Sequence, residues 1–421
     1  MRVMCNVNDG CNVNPSKVKL ACYITNISMS IVCCMSPLLF TTFNKNYGIS
    51  FALLGLLIFI NFTTQLAVDL IFTFFSRHFN IEKTVKIIPL ITFVGFWGYG
   101  IFPLLLPRYA YLGLVIGTVI FSSSAGLNEV LISPVIAALP SDTKEKDMSF
   151  LHATYGIGVV GFVLVGALYL YLFDPDAWNY LPLICSVLPL IGFVLFSSTR
   201  LPEMNGGEGS EKGSKNEFSK GIILCAITLF FCGATECTMT QWSSSFLEVG
   251  LGVSKVVGDL LGTLTFAVML TLGRTLYSKI GKNIFGVMTA GLIGSVACYL
   301  LATLVDNSII AVIASAMTGL CVSMLWPGTL IIVGENYPKS TVAVYALMAV
   351  AGDMGGAIIP YLVGILINKL QLTDNRLFFE GPIEQTSMRG GLMFAAIFPL
   401  IALVIIWLLK RHLKANKEKV E

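Results

Sequence analysis

The chain has 421 residues, of which 55% are hydrophobic and only 12% carry a charge, and its mean hydropathy is +0.80. A soluble globular protein of this length cannot cover its surface with so few polar residues, so the composition predicts an integral membrane protein. The formal net charge of +3 is too small to indicate a nucleic-acid partner.

Apolar runs long enough to cross a bilayer recur twelve times along the chain. A hydrocarbon core about 30 Å thick needs about 20 apolar residues in each helix. The predicted helices cover residues 18–41, 49–75, 86–106, 110–138, 149–173, 181–199, 220–246, 256–277, 284–304, 308–333, 340–368 and 390–409. The sequence therefore predicts an all-α integral membrane fold with twelve transmembrane helices.

A polar loop divides these helices six and six. Residues 200–219 are rich in Gly, Ser, Lys and Glu, which is typical of a linker. A shift of 198 positions places the segment that begins at Pro140 on the segment that begins at Pro338, which indicates an internal repeat. We therefore expect two pseudo-symmetric six-helix bundles, an architecture typical of transporters. The predicted domains are a tail at 1–17, bundles at 18–199 and 220–409 on either side of the linker, and a basic tail at 410–421.

The positions of the basic residues predict the orientation in the membrane. With the N-terminus in the cytoplasm, most of the 27 Lys and Arg residues fall in cytoplasmic loops and tails. We therefore expect a plasma-membrane protein with both termini in the cytoplasm. No metal or cofactor is predicted, because most of the eleven cysteines lie in apolar runs and none has metal-ligand spacing.

Three acidic residues lie deep within the predicted helices: Glu129 in helix four, Glu236 in helix seven and Asp353 in helix eleven. Small or polar residues lie one turn away from each, so all three are expected to face the protein interior. No Lys or Arg lies deep within a predicted helix, so we expect none of the three to have an ionic partner. A carboxylate in hydrocarbon is costly. These acids are therefore predicted to exchange protons or to meet a cation from solution.

Amide and aromatic side chains are the candidates for binding a solute. An amide group beside an aromatic ring suits a hydroxylated organic molecule. Trp242 lies near the outer end of helix seven and also fits an interfacial anchor, which leaves its role open. The predicted solute-binding residues are Asn26, Asn128, Gln241, Trp242 and Trp326.

Several segments resemble a known family. GLNEVLISPVIAALPSDTKEKDMSFLHATYGIG resembles the fourth and fifth helices of the fucose permease-like sugar:proton symporters, a group of the major facilitator superfamily. GATECTMTQWSSSFLEVGLGVS resembles their seventh helix and LWPGTLIIVGENYP their tenth. The resemblance covers essentially the whole chain. It implies the twelve-helix fold, a small-molecule substrate and proton coupling.

The chain also departs from this pattern. The superfamily signature after helix two, Gly-x-x-x-Asp-Arg-x-Gly-Arg, corresponds here to FTFFSRHFNIEK, which keeps Arg77 but lacks the Asp and both Gly residues. The loop after helix eight carries Lys279 at the related position. With Asp69, these two residues are the predicted gating residues. Helix one lacks the acid of the fucose permease pattern, and Asn26 is its nearest polar substitute.

These observations predict a monomeric secondary transporter in the lipid bilayer that imports a sugar or polyol by proton symport. Sodium is kept as an alternative coupling ion. One alternative is a proton-coupled antiporter that exports cationic drugs or amines, and another is a sensor that keeps the fold without transport. An enzyme is not favoured, because the helices carry no metal cluster and no nucleophile constellation.

Overall fold

The computed structural model describes residues 14–75, 78–141, 144–202, 219–281, 283–337, 342–377 and 379–417. Within these ranges, twelve helical segments are long and apolar enough to cross a membrane. They are α1 (Pro15–Tyr47), α2 (Phe51–Phe72), α3 (Ile81–Leu105), α4 (Pro107–Ala138), α5 (Phe150–Leu172), α6 (Asp176–Ser197), α7 (Lys220–Gly250), α8 (Lys255–Tyr277), α9 (Ile284–Leu304), α10 (Ser308–Asn336), α11 (Val344–Leu372) and α12 (Ile383–Ala415). The predicted all-α fold with twelve membrane-spanning helices is confirmed.

The ends of the first and last helices differ from the prediction. Helix α1 runs on to Tyr47, and α12 begins at Ile383, seven residues before the predicted start. Arg389, which was expected in an outer loop, is consequently buried inside α12. Its Nη1 donates to Asp306 Oδ1 at 2.9 Å and its Nη2 donates to the Val305 carbonyl at 2.7 Å. Because these acceptors satisfy much of the guanidinium, the helix includes a charge that hydropathy alone would exclude.

Three helices of the second bundle are irregular. Helix α10 consists of Ser308–Val322 and Leu325–Asn336, with a break between them. Helix α7 ends in a wide π-helical turn at Phe246–Gly250, and α8 contains another at Asp259–Leu264. Such turns release backbone carbonyls from the helical ladder and occur frequently at functional sites. The break in α10 bears directly on the site described below.

Each bundle contains helices that approach closely through glycine. In the first bundle, a Cβ on Gly95 of α3 would collide with the backbone of Phe121 in α4. In the second, a Cβ on Gly355 of α11 would collide with the Phe230 carbonyl of α7. Small residues permit such backbone contact between helices in a membrane. These contacts make each bundle a tightly packed unit.

The bundles contact each other at the end of the molecule opposite the termini. Lys45 Nζ of α1 lies 2.6 Å from Glu248 Oε1 of α7. The fully buried ring of Trp242 packs against Phe40, with ring centroids 5.3 Å apart, and against Phe51, at 6.0 Å. Gly364 of α11 also lies against the backbone of Phe51 in α2. These contacts close this end.

The end that carries the termini is open between the bundles. Glu129 and His152 are exposed although both belong to membrane-spanning helices or their ends, and Tyr155 of α5 is 38% exposed. A Cβ on the neighbouring Gly156 would meet no atom within 4 Å. We call the space beside Asp69, Glu129, Tyr155 and Asp353 the vestibule.

Candidate solute and proton site between the bundles

Three carboxylates from three helices meet at the vestibule. Glu129 of α4 and Asp69 of α2 belong to the first bundle, and Asp353 of α11 belongs to the second. Each lies within electrostatic reach of the others. Among the described residues, neither Glu129 nor Asp353 has a hydrogen-bond or ion-pair partner. The structure therefore places two predicted proton-coupling residues on facing walls of one open space.

Glu236 has different surroundings, and the expectation that no basic side chain reaches the deep acids is wrong for it. Arg274 Nη2 of α8 lies 3.3 Å from Glu236 Oε1, and its Nε donates to the Ser323 carbonyl at 3.2 Å. Ser323 lies at the break in α10, where its carbonyl is free to accept. Arg274 lies within predicted helix eight, close to its end, and a long side chain can reach deeper than its own Cα. Glu236 Oε2 is buried and has no hydrogen-bond partner among the residues that the structure describes.

Asn26 and Asn128 bind to each other inside the first bundle. Asn26 Nδ2 donates to the Leu151 carbonyl at 2.8 Å and to Thr154 Oγ1 at 3.0 Å, which joins α1 to α5. Asn128 Nδ2 of α4 donates to Asn26 Oδ1 at 3.1 Å. The amide of Asn26 is therefore occupied in holding three helices together. Asn128 Oδ1 is buried without a partner among the described residues and is the remaining acceptor.

The two predicted tryptophans lie in different places. Trp242 is completely buried, and its Nε1 donates to the Pro360 carbonyl at 3.0 Å. It belongs to the contact that closes the opposite end. Trp326 is partly buried in α10, and its ring packs on Gly352, the residue before Asp353. Of the two, Trp326 is the one that contacts α11 next to Asp353.

Gln241 lines a narrow cavity between the bundles. The space open to the centre of a water-sized sphere is about 10 Å³, and the cavity is lined by Cys33, Cys34, Pro37, Leu38 and Val163 of the first bundle and by Thr240, Gln241 and Thr263 of the second. Such a space holds about one water molecule. In the present arrangement the cavity is therefore too small for a solute.

The predicted gating residues are distributed as follows. Asp69 lies in α2 and belongs to the carboxylate group of the vestibule. Lys279 is exposed near the end of the helix that contains α8. Arg77 lies outside the described residues, as do most of the predicted linker and most of the N-terminal tail.

Sequence reasoning missed a polar row on α2. Gln65 Nε2 donates to Asn61 Oδ1 at 2.7 Å, and Ser122 Oγ of α4 donates to the same oxygen at 2.7 Å. Gln65 also contacts the thiol of Cys33 in α1. Asn61, Gln65 and Asp69 recur every fourth residue, which places them on one face of the helix. This spacing was a signal that could have identified α2 as a wall of the site.

The sequence matches the family model described as Major Facilitator Superfamily over residues 21–360 and 276–421. The chain belongs to the Major Facilitator Superfamily. It is accordingly a membrane transporter and not an enzyme. No curated protein matches the sequence, and membership of the fucose permease-like group stays a prediction.

Solved transporters share this fold. A bacterial homologue of the human lysosomal transporter Spinster, in an inward-facing and occupied conformation, has a TM-score of 0.71 at 14% identity and covers 94% of this chain and 96% of its own. A D-xylose-proton symporter has a TM-score of 0.73 at 15% identity, covering 91% and 97%. The nucleoside transporter NupG has a TM-score of 0.69 at 11% identity, covering 94% and 98%. Identities this low establish the fold alone.

Proposed function

We propose that this superfamily member is a proton symporter that imports a small hydroxylated solute, a sugar or polyol. The observation that carries the proposal is the pair Glu129 and Asp353, which face each other across the vestibule from different bundles without a basic partner among the described residues. With the termini in the cytoplasm of a plasma-membrane protein, the present arrangement is open to the cytoplasm. A carboxylate in such a site readily takes up and releases a proton as the site changes its access to water.

The negative charges of Glu129 and Asp353 explain how proton uptake is coupled to closing of the terminal end. Closing the terminal end moves α4 and α11 together and therefore brings Glu129 and Asp353 closer. Two negative charges repel more strongly as water is excluded between them. Neutralising Glu129 with a proton removes this repulsion, so the proton favours the closed arrangement. The negative charges of Asp353 and Asp69 act on Glu129. Gln241 offers hydrogen bonds to the solute, and Trp326 offers an aromatic face.

The related structures support a polar organic solute. The D-xylose-proton symporter and the nucleoside transporter NupG share the fold, and their named solutes are hydroxylated molecules. The amide of Gln241, in the cavity between the bundles, suits the same chemistry.

A second candidate is an antiporter for organic cations. The ring of Trp326 packs on Gly352, the residue before Asp353, and an aromatic face near carboxylates attracts a cationic group. Three carboxylates around one vestibule would stabilise such a cation directly.

Proteoliposomes containing a trapped pH dye distinguish these functions. Sugars, polyols and organic cations are added one at a time, with Glu129→Gln in parallel. Lumen acidification by a sugar, absent in the variant, is the expected result. Alkalinisation by cations would establish the antiporter instead. Uptake of a radiolabelled sugar without any proton movement would overturn proton symport.

A further inference from the structure

Arg274 lies on the side of α8 that faces away from the lipid. The large exposed apolar residues of α8 form a lipid-facing row at Leu261, Val268, Leu272 and Leu276. Arg274 is two residues from both Leu272 and Leu276, and at about 100° per residue it lies on the opposite side of the helix. It contacts α7 and α10, yet 47% of its side chain is exposed. The exposed guanidinium therefore faces the space between the bundles.

Two contacts hold the guanidinium of Arg274 in place but do not use all of its N–H donors. Its Nε is bound to the Ser323 carbonyl and its Nη2 to Glu236 Oε1. An arginine side chain has five N–H donors in a planar fork that matches a carboxylate. Within the described residues, these two contacts leave Nη1 and one Nη2 hydrogen available. The backbone contact at the break in α10 fixes the fork while leaving that face open.

Glu236 is a weakly held partner for this group. The 3.3 Å contact is longer than the roughly 2.7–2.9 Å of a strong charge-assisted bond. Glu236 Oε2 is buried, with no hydrogen-bond partner in the described part of the chain. Among the described residues, the titratable and charged groups that face Glu236 are Arg274 from α8 and, on its own helix, the thiols of Cys232 and Cys237. Among the described residues, no other charged group compensates the charge of Glu236.

The vestibule thus has two electrically distinct walls. The charges that act on Glu129 and Asp353 come from carboxylates, so an anionic group near them is repelled. Arg274 lies apart from that group and presents the positive wall. A solute that carries both hydroxyl groups and an anion is oriented by this difference.

We infer that Arg274 is an anion-binding group of the solute site and that the solute is a hydroxylated carboxylic acid, such as a sugar acid, whose carboxylate replaces Glu236 on the guanidinium. The inference rests on the proposed function and narrows its substrate class. A proton taken up by Glu236 removes the competing charge, and the solute carboxylate then compensates Arg274. One proton and one anion enter the site together, so its net charge is unchanged.

Binding to the purified full-length chain in detergent tests the inference. Isothermal titration compares gluconate and glucuronate with their neutral counterparts, sorbitol and glucose, at pH 5 and pH 8. The acids are expected to bind, and more tightly at pH 5. Arg274→Gln is expected to weaken acid binding about 10- to 100-fold, because a hydrogen-bonded charge partner is lost. Arg274→Lys keeps the charge and should retain part of the affinity.

Two further variants complete the test. Glu236→Gln imitates the protonated acid and should lose most of the preference for pH 5, because only the vestibule carboxylates then still respond to pH. Arg376→Gln removes an exposed arginine that pairs with Asp374 away from the vestibule and should bind as the native chain does. A preference for low pH in Glu236→Gln as large as that of the native chain would overturn the exchange between Glu236 and the solute.

The remaining outcomes separate this inference from the proposed function. Binding of neutral sugars that is indifferent to Arg274→Gln, or failure of every acid to bind at millimolar concentration, would overturn the anion site and leave sugar symport standing. Acid binding that requires Arg274, with no proton movement in liposomes, would retain the anion site and overturn symport.

Discussion

Glu129 and Glu236 are the same residue type in the two bundles, but their surroundings differ. Glu129 is exposed in the vestibule and faces other carboxylates. Glu236 is mostly buried and is held by Arg274 from a neighbouring helix. Adjacent helices, and not the sequence of its own helix, therefore decide whether a membrane carboxylate is paired. Under the proposed function Glu129 exchanges a proton with solution, and under the further inference a proton on Glu236 releases Arg274.

The largest effect is expected from removing the unpaired charge. Glu129→Gln should reduce solute-driven proton movement by about 100-fold or more, the scale on which a positioned proton-transfer group acts. The measurement is the rate of lumen pH change in proteoliposomes. Glu335→Gln, which neutralises an exposed glutamate near the end of α10, is the matched control and should retain the native rate. Equal rates in both variants would mean that Glu129 has a structural role only.

Breaking the paired charge should have a smaller effect, on stability. Arg274→Gln leaves Glu236 without its partner, so the chain should unfold more easily in detergent. Glu236→Gln combined with Arg274→Gln should recover part of the loss. Because half of Arg274 is exposed, the coupling free energy from the double-mutant cycle should be about 0.5–1.5 kcal/mol. Additive losses would show that the two side chains do not stabilise each other.

The contact that closes the opposite end should have a weaker influence on the balance between the two arrangements. Lys45 is 66% exposed while Glu248 is 8% exposed, and exposed pairs contribute about 0.2–1 kcal/mol. Lys45→Gln should therefore shift the balance only a few-fold. Hydrogen–deuterium exchange should become faster in residues 44–52 and 246–254. Lys369→Gln, at an exposed position near the same end of α11, should leave this exchange unchanged.

The smallest effect is expected within the first bundle. Hydrogen bonds from Lys19 Nζ and Ser141 Oγ hold the pKa of Asp147 below its ordinary value of 3.8. A lowered pKa stabilises the folded chain above the ordinary value, and this contribution disappears as the pH falls through the folded one. Asp147→Asn should therefore unfold at a slightly lower temperature than the native chain at pH 7. The two unfolding temperatures should converge under acidic conditions, where the native Asp147 is also neutral.

Much of the architecture could be predicted because the bilayer imposes a length on each helix. Twelve apolar runs of sufficient length led directly to twelve spans, and the acids within them were evident from the sequence. Hydropathy, however, gives the depth of a residue and not the direction of its side chain. Hydropathy therefore excluded Arg389 from α12, although its guanidinium donates there to Asp306 and to a backbone carbonyl.

The contacts within the site depend on packing between helices that are distant in sequence. Arg274 meets Glu236, 38 positions away, and reaches the Ser323 carbonyl only because α10 is broken at that level. Asn26 and Asn128 were predicted to bind solute, but the structure joins them to each other across 102 positions. One sequence contains no direct record of such pairings. The spacing of Asn61, Gln65 and Asp69, in contrast, lies within one helix and could have identified α2 as a wall of the site.

The position of Trp242 gives the molecule an intrinsic optical reporter. Five tryptophans are present in the chain, and the ring of Trp242 packs on Phe40 and Phe51 of the other bundle. When the opposite end opens, water reaches this indole and its fluorescence emission moves to longer wavelength. Replacing the other tryptophans by phenylalanine would therefore allow the alternation of the two arrangements to be followed in real time, without an attached dye.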